Sequence, residues 1–506
     1  MKGFYCRLRL CLMALLMMFS SCTMGPNYQP DRMKLPKGFK ETLENHPATP
    51  EEIAKTDKEM IEWWSLFKDP MLTRLVKDAI KGNYNLRIAG QHILAERAMR
   101  DRSAAQWYPQ LDANAGGGDV RYSLNIDNWP LRPGNPLNHA HASELTYGAV
   151  ASWEIDMFGR IRRDVETHAR SVESSIEERR AVFMGLLSEL ASDYMIMRVT
   201  QLQITIATNN IHVASEALDL SKQLYQEGVG NTLQIAQAKA ELDAQIATRE
   251  PLYTRVSQLT HAIAVLVGKM PEELEDELKK PAPLPVIPPF PATLPSIVLA
   301  NRPDIRMAER QYAMATAKIG VAVANLYPHF IVPLTFNPNA SAMYQVFQVN
   351  GMSWQFMLMA SMPLMHGGKF TAEVRNAQAA AEAARLSYRQ TVLTAFKEVE
   401  DNMVAWHDDI TYAQQLHQAA IDSASASSQA RQLYAAGLVG FLEVLTTERT
   451  TLNAQNMEAL SQLARLQDAV NLYTALGSGW QGFALTNTKL PVSLETQNIL
   501  ARAFQQ

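Results

Sequence analysis

Apolar residues recur every seven positions in the first half of the chain. The series runs without a slip through Ile176, Phe183, Leu190, Met197, Ile204, Ile211 and Leu218. A strict seven-residue repeat indicates helices that wind around their neighbours in a left-handed supercoil. No proline interrupts residues 161–227, so the pattern predicts one continuous helix there. Its 67 residues would extend for about 100 Å.

A glycine-rich turn follows this helix. Gly228 and Gly230 suit the turn because glycine adopts backbone angles that other residues avoid. A second helix is predicted from Thr232 to Gly268, and Pro251 is expected to kink or break it. The first half therefore predicts a long helical hairpin.

The second half of the chain repeats this arrangement. It predicts a helix over residues 370–436, a turn from Gly437 to Gly440 and a helix over residues 441–476. Several positions recur with a common offset of 209, namely Gly159 at Gly368, Tyr225 at Tyr434, Gly228 at Gly437 and Leu233 at Leu442. An internal repeat of this kind indicates two copies of one structural unit.

Two stretches alternate between apolar and polar residues, which predicts β-strands with two different faces. The first covers residues 145–157, and the second covers residues 354–364 at the same offset of 209. Each has a weaker partner upstream, near residues 111–124 and 329–337, so we expect one β-hairpin in each half. Such strands are typical of a membrane β-barrel, although the edge hairpin of a β-sandwich shows the same alternation.

The first 22 residues have the pattern of an export signal. Lys2, Arg7 and Arg9 precede an apolar run over residues 10–19. A run of this length reaches only about 15 Å as a helix, roughly half the hydrocarbon core, so it does not predict a membrane span. It predicts a secretory signal peptide, after which small residues lead to Cys22.

The residues around Cys22 resemble a bacterial lipoprotein processing site, in which the cysteine becomes the acylated N-terminus. Thr23 follows it in place of the aspartate that marks inner-membrane retention, so the resemblance implies the outer membrane. Two or three acyl chains would hold the protein firmly, since each buried methylene contributes about 0.8 kcal/mol. Ordinary signal cleavage beside an incidental cysteine is the alternative.

A proline-rich stretch separates the two halves. Residues 270–295 contain eight prolines, which exclude a continuous helix or a central strand. The patterns together predict six segments. They are a signal peptide (1–21), a lipid-anchored extended segment (22–70), a first repeat (71–268, hairpin near 111–158), a linker (269–298), a second repeat (299–476, hairpin near 329–365) and a C-terminal tail (477–506).

Charge balance and cysteine positions argue against several classes of protein. The chain has 47 basic and 51 acidic residues, and this net charge of −4 is not typical of a nucleic-acid binder. All three cysteines lie within the first 22 residues. Since the remainder of the chain contains no cysteine, we expect no disulfide framework and no cysteine metal site there.

The sequence contains no His-Glu-x-x-His motif, no phosphate loop and no Gly-x-Ser-x-Gly motif. We therefore predict no enzymatic activity, and no cofactor or resident metal beyond a covalent lipid on Cys22. His139 and His141 form a weak candidate metal site. A soft-metal pathway is conceivable along Met357, Met359, Met362 and Met365, but methionine is also a common apolar filler.

Four strands per chain cannot close a barrel, because about eight strands are the working minimum. An open sheet would leave unpaired backbone edges in lipid, which a bilayer does not tolerate. Three copies would supply twelve strands. The predicted fold is mainly α with membrane β, in which a trimer shares a long α-helical coiled-coil barrel and a 12-stranded β-barrel, with two internal repeats in each chain.

Six short motifs occur in order along the chain. They are the stretch from Cys22 to Pro30, Trp63-Trp64 with Phe67 and Asp69-Pro70, Asn301 to Arg306, Ile319 to Pro328, Phe396 to Asp401, and Leu472 to Gly477. Each is weak alone, but this order and spacing resembles the TolC-type family of outer-membrane efflux ducts, in its NodT-like lipoprotein branch. The resemblance covers nearly the whole mature chain.

The resemblance implies the outer-membrane channel of a tripartite efflux system, a passive duct for small molecules or ions. It implies a homotrimer that docks to a periplasmic membrane-fusion adaptor and an inner-membrane pump, with no nucleic-acid partner. The implied location is the bacterial outer membrane, with a long periplasmic helical part. The helix turns expected near the adaptor contact carry Gly228, Gly230, Gly437 and Gly440.

In this family, residues just after the second-half turn constrict the periplasmic end of the helical cylinder. The matching positions here are Leu442, Glu443, Thr446 and Arg449. Three copies of Glu443 would form an acidic ring that attracts cations, whereas Thr446 departs from the aspartate of other members. Arg449 is expected to pair with a carboxylate on a neighbouring helix and hold the helices closed. Alternatively, Glu443 and Arg449 are solvated charges on a helix face.

A lipid-anchored periplasmic coiled-coil spacer without channel activity is the alternative function. It explains the lipid anchor and the seven-residue repeat. It does not explain two strand hairpins at a common offset.

Overall fold

The computed structural model describes residues 23–31, 33–34, 36, 38–40, 60–121, 141–291, 298, 300–340, 348 and 352–482. The chain divides into two compact units. We call them the sheet unit (Met1–Asp31, Ala95–Ser174 and Ala308–Ser387) and the helical unit (Arg32–Leu94, Ser175–Met307 and Tyr388–Gln506). Each unit combines residues from both halves of the sequence.

Long α-helices dominate the described chain. The first half contains a 3-10 helix (Met60–Phe67), α1 (Pro70–Gly82), α2 (Tyr84–Ala105), α3 (Arg160–Gln226), α4 (Thr232–Val267) and α5 (Glu272–Leu278). The second half contains α6 (Pro303–Ala324), α7 (Lys369–Ala435) and α8 (Phe441–Ala475). The four predicted long helices, α3, α4, α7 and α8, are confirmed to within one residue at each end. None of the described helices is both long and apolar enough to cross a membrane.

Helices of the two halves match in length. α3 and α7 both contain 67 residues and lie 209 positions apart. α2 and α6 both contain 22 residues and lie 219 positions apart. The offset changes between these two pairs because 54 residues separate α2 from α3, whereas 44 residues separate α6 from α7.

The seven-residue repeat of α3 contributes to the core of the helical unit. Leu190 and Met197 are completely buried, and Phe183 is nearly so. They belong to a core that also contains Trp63 and Tyr473, whose rings stack with their centroids 5.9 Å apart. Burial of large aliphatic and aromatic side chains is the main stabilising contribution to such a unit.

The start of α1 is fixed by the residues that precede it. Asp69 accepts hydrogen bonds from the N–H groups of Met71 and Leu72, at 2.8 and 3.0 Å. Pro70 occupies the first turn, where its missing N–H removes no helical hydrogen bond.

The predicted extended segment 22–70 is not extended throughout. It ends in a 3-10 helix because the aromatic side chains of that helix are buried in the core.

Two proline-containing regions differ from the simplest prediction. α4 continues through Pro251 without ending, because residues on both sides, such as Gln245 and Val256, are buried and hold the helix together. A proline in a helix interior still removes one backbone hydrogen bond. The linker 269–298 contains α5, since no proline interrupts Glu272–Leu278.

The sheet unit contains an antiparallel sheet with four strand positions. Its strands are β1 (Gln110–Arg121), β2 (His141–Ile155), β3 (His329–Phe336), β4 (Asn339–Ala340), β5 (Trp354–Phe356) and β6 (Met359–Ser361). β1 pairs with β2, β2 pairs with β3 and β4, and β3 pairs on its other side with β5 and β6. The pairing of β2 with β3 joins the two predicted hairpins into one sheet.

Prolines explain why the second-half strands are interrupted. Pro338 separates β3 from β4 and has no N–H to donate, although its carbonyl accepts a hydrogen bond from Tyr147 N–H at 3.3 Å. Pro333 likewise cannot donate to Met357, whose own N–H donates to the Pro333 carbonyl at 3.2 Å. The predicted strand over residues 354–364 is therefore two short segments, β5 and β6.

Gly148→Ala is expected to destabilise the sheet. A β-carbon at Gly148 would lie 2.0 Å from the carbonyl oxygen of Phe336, so β2 and β3 would have to separate. Strain of this kind costs about 1–3 kcal/mol, which should lower the thermal unfolding midpoint of the purified protein. Gly118→Ala on β1 is the matched control, because its β-carbon would meet nothing within 4 Å. Equal midpoints for the two variants would contradict the register of β2 and β3.

Candidate functional site

One face of the sheet is apolar from the first strand to the last. Residues paired across strands share a face, so Leu111, Ala151, Leu334 and Phe356 form one row. The neighbouring rows on this face contain Ala113, Ala149, Phe336 and Trp354, and Trp153 with Val332. Within this chain Trp354 is 75% exposed and Phe356 is 62% exposed.

The opposite face carries most of the polar residues of the strands. They are Gln110, Asp112, Asn114, Thr146, Ser152, Glu154, Thr335 and Gln355. Met357 and Met359, two of the four methionines considered above for a soft-metal pathway, alternate with the apolar row and lie on this polar face. The described residues contain no group of three His, Cys, Asp or Glu side chains that could hold a metal ion.

A contiguous exposed apolar face marks a surface that contacts lipid or another protein. The sandwich alternative would need a core packed on this face. The described residues provide no such cover for Trp354 and Phe356, whose rings are exposed. The alternating pattern therefore reflects an outward-facing apolar surface.

Residues 23–31, which we call the N-terminal strap, are fixed against the end of β2 within the sheet unit. The N–H of Met24 donates to the carbonyl of Phe158 at 3.1 Å. Arg163 donates through Nε to the carbonyl of Met24 at 3.1 Å and through Nη2 to Oδ1 of Asn27 at 2.7 Å. Cys22 itself lies outside the described residues, but the strap begins directly after it.

Glycines allow the strap to pack closely against α6 and against the residues that follow β2. A β-carbon on Gly25 would lie 2.5 Å from Cα of Gly320, and Gly25 has a φ of +83°. A β-carbon on Gly159 would lie 2.7 Å from the methyl group of Thr23. Larger residues would push the strap away at both places.

The strap ends in polar and aromatic contacts. Tyr28 donates to Glu309 at 2.9 Å, and its ring meets the ring of Tyr312 edge-on with their centroids 5.3 Å apart. Asp31 forms an ion pair with Arg385 at 3.1 Å.

The predicted helix turns have closely similar geometry in both halves. Gly228 and Gly437 have φ values of +78° and +72°, which glycine adopts without strain. The following N–H groups, of Val229 and Leu438, donate back to the carbonyls of Leu224 and Leu433 at 3.0 and 2.9 Å. This is a Schellman motif, which satisfies the last carbonyls of α3 and α7.

The other two turn glycines differ from each other. A β-carbon on Gly230 would lie 2.9 Å from the backbone nitrogen of Tyr225, whereas one on Gly440 would meet nothing within 4 Å. After the first turn, Asn231 and Gln234 form a capping box that starts α4. Gly440 precedes the first residue of α8 and provides no side-chain cap.

The four predicted constriction residues lie on the exposed side of the first turns of α8. Leu442 is 66% exposed, and Glu443, Thr446 and Arg449 are also exposed. The opposite side of these turns is buried, with Phe441, Val444 and Leu445 packed against Leu218, Ala238 and Tyr434. The helix period thus brings the four predicted residues together on one surface.

Arg449 joins α8 to α4 through an ion pair. Its Nη2 lies 2.7 Å from Oε2 of Glu241, a carboxylate that is only 6% exposed. Gln245 donates to the other oxygen of Glu241 at 2.8 Å. The expected carboxylate partner on a neighbouring helix is therefore Glu241.

Glu448 is a second acidic side chain in this region that the sequence analysis missed. Burial is the main cause that raises its pKa to about 7, with Arg431 opposing this shift and Glu241 adding to it. Its Oε1 has no hydrogen-bond partner among the described residues.

Glu241 could have been found from the sequence, because it falls on the stripe of Ala238 and Gln245 that faces inward along α4.

The chain as a whole matches known proteins. Residues 75–268 and 294–478 match the family model described as outer membrane efflux protein. The chain belongs to that family. The solvent efflux pump outer membrane protein SrpC of Pseudomonas putida is 31% identical over 422 residues, which cover 82% of this chain and 86% of SrpC.

Two further matches extend over more of the chain. The probable outer membrane lipoprotein SilC of Salmonella typhimurium is 28% identical over 482 residues, which cover 94% of this chain and 99% of SilC. The solved outer-membrane channel OprN is 30% identical, with a TM-score of 0.79, over 91% of this chain and 100% of OprN. The predicted family and the predicted function as an outer-membrane efflux channel are confirmed, and the spacer alternative is not favoured.

Arg449→Met and Glu241→Gln are expected to weaken the contact between α4 and α8 in this efflux protein. Removing Arg449 leaves the buried carboxylate of Glu241 without its cation, whereas the double variant removes both charges. Because the Arg449 side chain is 64% exposed, solvent screens much of the attraction. A double-mutant cycle on urea unfolding should give a coupling free energy of about 1 kcal/mol.

The control is a second cycle with Lys222→Met and Asp219→Asn. This pair lies 2.9 Å apart on α3, and both of its side chains are largely exposed. Its coupling free energy should be close to zero. If the Arg449–Glu241 pair couples no more strongly than this control pair, it does not stabilise the helix contact.

Proposed function

We propose that three copies of this chain form one passive duct through the outer membrane, as the channel component of a tripartite efflux system. The two-faced sheet is the observation that carries this proposal. In a closed ring of twelve strands, the apolar row of Leu111, Ala151, Leu334 and Phe356 would contact lipid, and the polar face would line the lumen.

Closure of the ring follows from the strand order. β1 lies at one end of the sheet, and β5 and β6 lie at the other. The proposed trimer pairs β1 of each copy with β5 and β6 of the next copy. No backbone edge would then remain unpaired in lipid.

A periplasmic membrane-fusion adaptor and an inner-membrane pump are the proposed partners. The turns at Gly228–Gly230 and Gly437–Gly440 are the proposed adaptor contact. In support, each turn exposes an apolar side chain, Val229 at 69% and Leu438 at 71%. Exposed apolar side chains at a loop tip are suited to a protein contact.

The proposed constriction consists of Leu442, Glu443, Thr446 and Arg449. Three carboxylates of Glu443 around the trimer axis would attract cations and oppose anions. The ion pair of Arg449 with Glu241 ties this surface to α4. We propose that outward movement of residues 433–450 opens the duct and breaks this ion pair.

Purified protein in a planar lipid bilayer should form cation-selective channels, which a spacer would not. Glu443→Gln should reduce the cation preference, measured as a smaller reversal potential in a potassium chloride gradient, because it removes three carboxylates from the constriction. Glu227→Gln is the matched control, since this exposed acid lies at the end of the first helical hairpin, outside the proposed constriction. Absence of channels from the wild-type protein would overturn the duct.

If channels form and Glu443→Gln leaves the reversal potential unchanged, the constriction lies elsewhere. The proposal that the protein is a duct is then unaffected. A similar shift for Glu227→Gln would indicate a general surface-charge effect instead of an acidic ring.

Cys22 is the proposed site of the lipid that anchors the protein on the outer membrane. SilC carries the word lipoprotein in its description, and the N-terminal strap fixes Met24, two residues after Cys22, against Phe158 just beyond β2. Cys22→Ser should abolish incorporation of labelled palmitate, measured on protein expressed in a bacterium. Cys11→Ser is the control and should keep the label, since Cys11 lies in the predicted signal peptide. A labelled Cys22→Ser protein would rule this site out.

A further inference from the structure

The helical unit contains a cavity of about 710 Å³ that the channel function does not use. Its walls come from the start of α1, from the middle of α3 and from the proline-rich stretch after α5. The polar side chains that line it include four cations, which are Lys68, Arg74, Arg198 and Lys280. Among the described residues, two carboxylates line it, those of Asp69 and Glu277.

Arg198 is the buried cation of this cavity. It is 3% exposed, and its guanidinium is held in place by hydrogen bonds from Nε to the hydroxyl of Tyr194 at 2.9 Å and from Nη1 to the carbonyl of Lys280 at 3.0 Å. Nη1 also donates to Oε1 of Gln201 at 2.9 Å. Nη2 makes no hydrogen bond to any residue that the structure describes, so one donor pair of a buried guanidinium remains open.

The partners of Arg198 compensate its hydrogen bonds but not its charge. A hydroxyl, an amide and a carbonyl are neutral acceptors. Burial raises the pKa of Tyr194 well above its usual value, so Tyr194 stays a neutral phenol. Its hydroxyl donates to Asp69 at 2.8 Å. The carboxylate of Asp69 is linked to Arg198 only through this hydroxyl and not by direct contact, so the buried charge is compensated in part and a bound anion would compensate it more fully.

The two carboxylates of the cavity are already occupied. Asp69 caps α1 and accepts a hydrogen bond from the hydroxyl of Tyr194. Glu277 pairs with Arg74. Lys68 and Lys280 are exposed and form no ion pair with a described residue. Three cationic groups therefore line the cavity without a carboxylate partner.

The backbone at Lys68 is held in an unusual conformation. Its φ is +52°, and among the residues that the structure describes Lys68 is the one non-glycine residue with a positive φ. Its N–H donates to the carbonyl of Ser65 at 3.1 Å, which holds Lys68 at the end of the 3-10 helix. Strained backbone of this kind persists where the surroundings fix it, and it often occurs at ligand sites.

We propose that this cavity binds an oxyanion of the phosphate class, held by the open Nη2 of Arg198 and by the ammonium groups of Lys68 and Lys280. Guanidinium and ammonium groups form short charge-assisted hydrogen bonds with such anions. The cavity is much larger than one phosphate ion, and Pro283 and Pro285 add apolar wall. A phosphate carried on a larger solute, such as a phosphorylated sugar, therefore fits better than the free ion.

Isothermal titration calorimetry on the full-length protein in detergent tests the site, with inorganic phosphate and glucose 6-phosphate as probes. Both probes should bind, and glucose 6-phosphate should bind more tightly if the ligand is a carried phosphate. Equal affinities would identify the free ion as the ligand. Lys280→Gln and Lys68→Gln should each weaken binding about tenfold, which corresponds to one charge-assisted hydrogen bond.

Lys77→Gln is the matched control and should bind like the wild-type protein. Lys77 is an exposed lysine of α1 that does not line the cavity. Arg198→Lys keeps the charge but loses the fork of donors, and it should weaken binding further in protein whose circular dichroism matches the wild type. No binding of either probe, or equal losses for Lys77→Gln and Lys280→Gln, would overturn the site. Neither outcome bears on channel formation, which the bilayer recordings measure separately.

Discussion

In lipid, a backbone N–H or C=O group without a partner costs several kcal/mol, and this cost controls how the sheet can be used. β1 at one end and β5 and β6 at the other would each present a row of such groups. The apolar face with Trp354 and Phe356 is unfavourable in water for a different reason, because removing apolar surface from water lowers the free energy. The backbone groups at the sheet ends and the apolar face are both accommodated in lipid only when the ends of separate copies pair. Assembly and membrane insertion are therefore one physical requirement.

Buried charges in the helical unit have two kinds of environment. Glu241 is paired with Arg449, so both its charge and its hydrogen bonds are compensated, and the pair connects two helices. Arg198 has neutral acceptors as its direct partners and reaches the carboxylate of Asp69 only through the hydroxyl of Tyr194, so its hydrogen bonds are largely satisfied while its charge is compensated only in part. The first arrangement stabilises a contact within the protein. The second provides an opening for a ligand of opposite charge.

Local pattern was sufficient to predict the helices and the faces of the strands. The seven-residue repeat and the glycines at 228 and 437 set the ends of α3 and α7, because both are properties of neighbouring positions in the chain. The breaks at Pro333 and Pro338 follow from missing N–H groups, but only the strand pairing shows which hydrogen bonds are lost. Arg449 meets Glu241 across 208 residues and Arg198 meets the carbonyl of Lys280 across 82 residues, and spacing alone does not indicate which distant groups a side chain will meet.

The N-terminal strap makes two glycines far apart in the sequence depend on one contact. Met24 and Asn27 are held by Arg163, and Thr23 lies against Gly159. A β-carbon on Gly25 would lie 2.5 Å from Cα of Gly320, and a β-carbon on Gly320 would lie 2.7 Å from Cγ of Arg163, the residue that holds the strap. A side chain at either glycine would therefore disturb the same contact, so the start of the described chain and α6 cannot vary independently of each other.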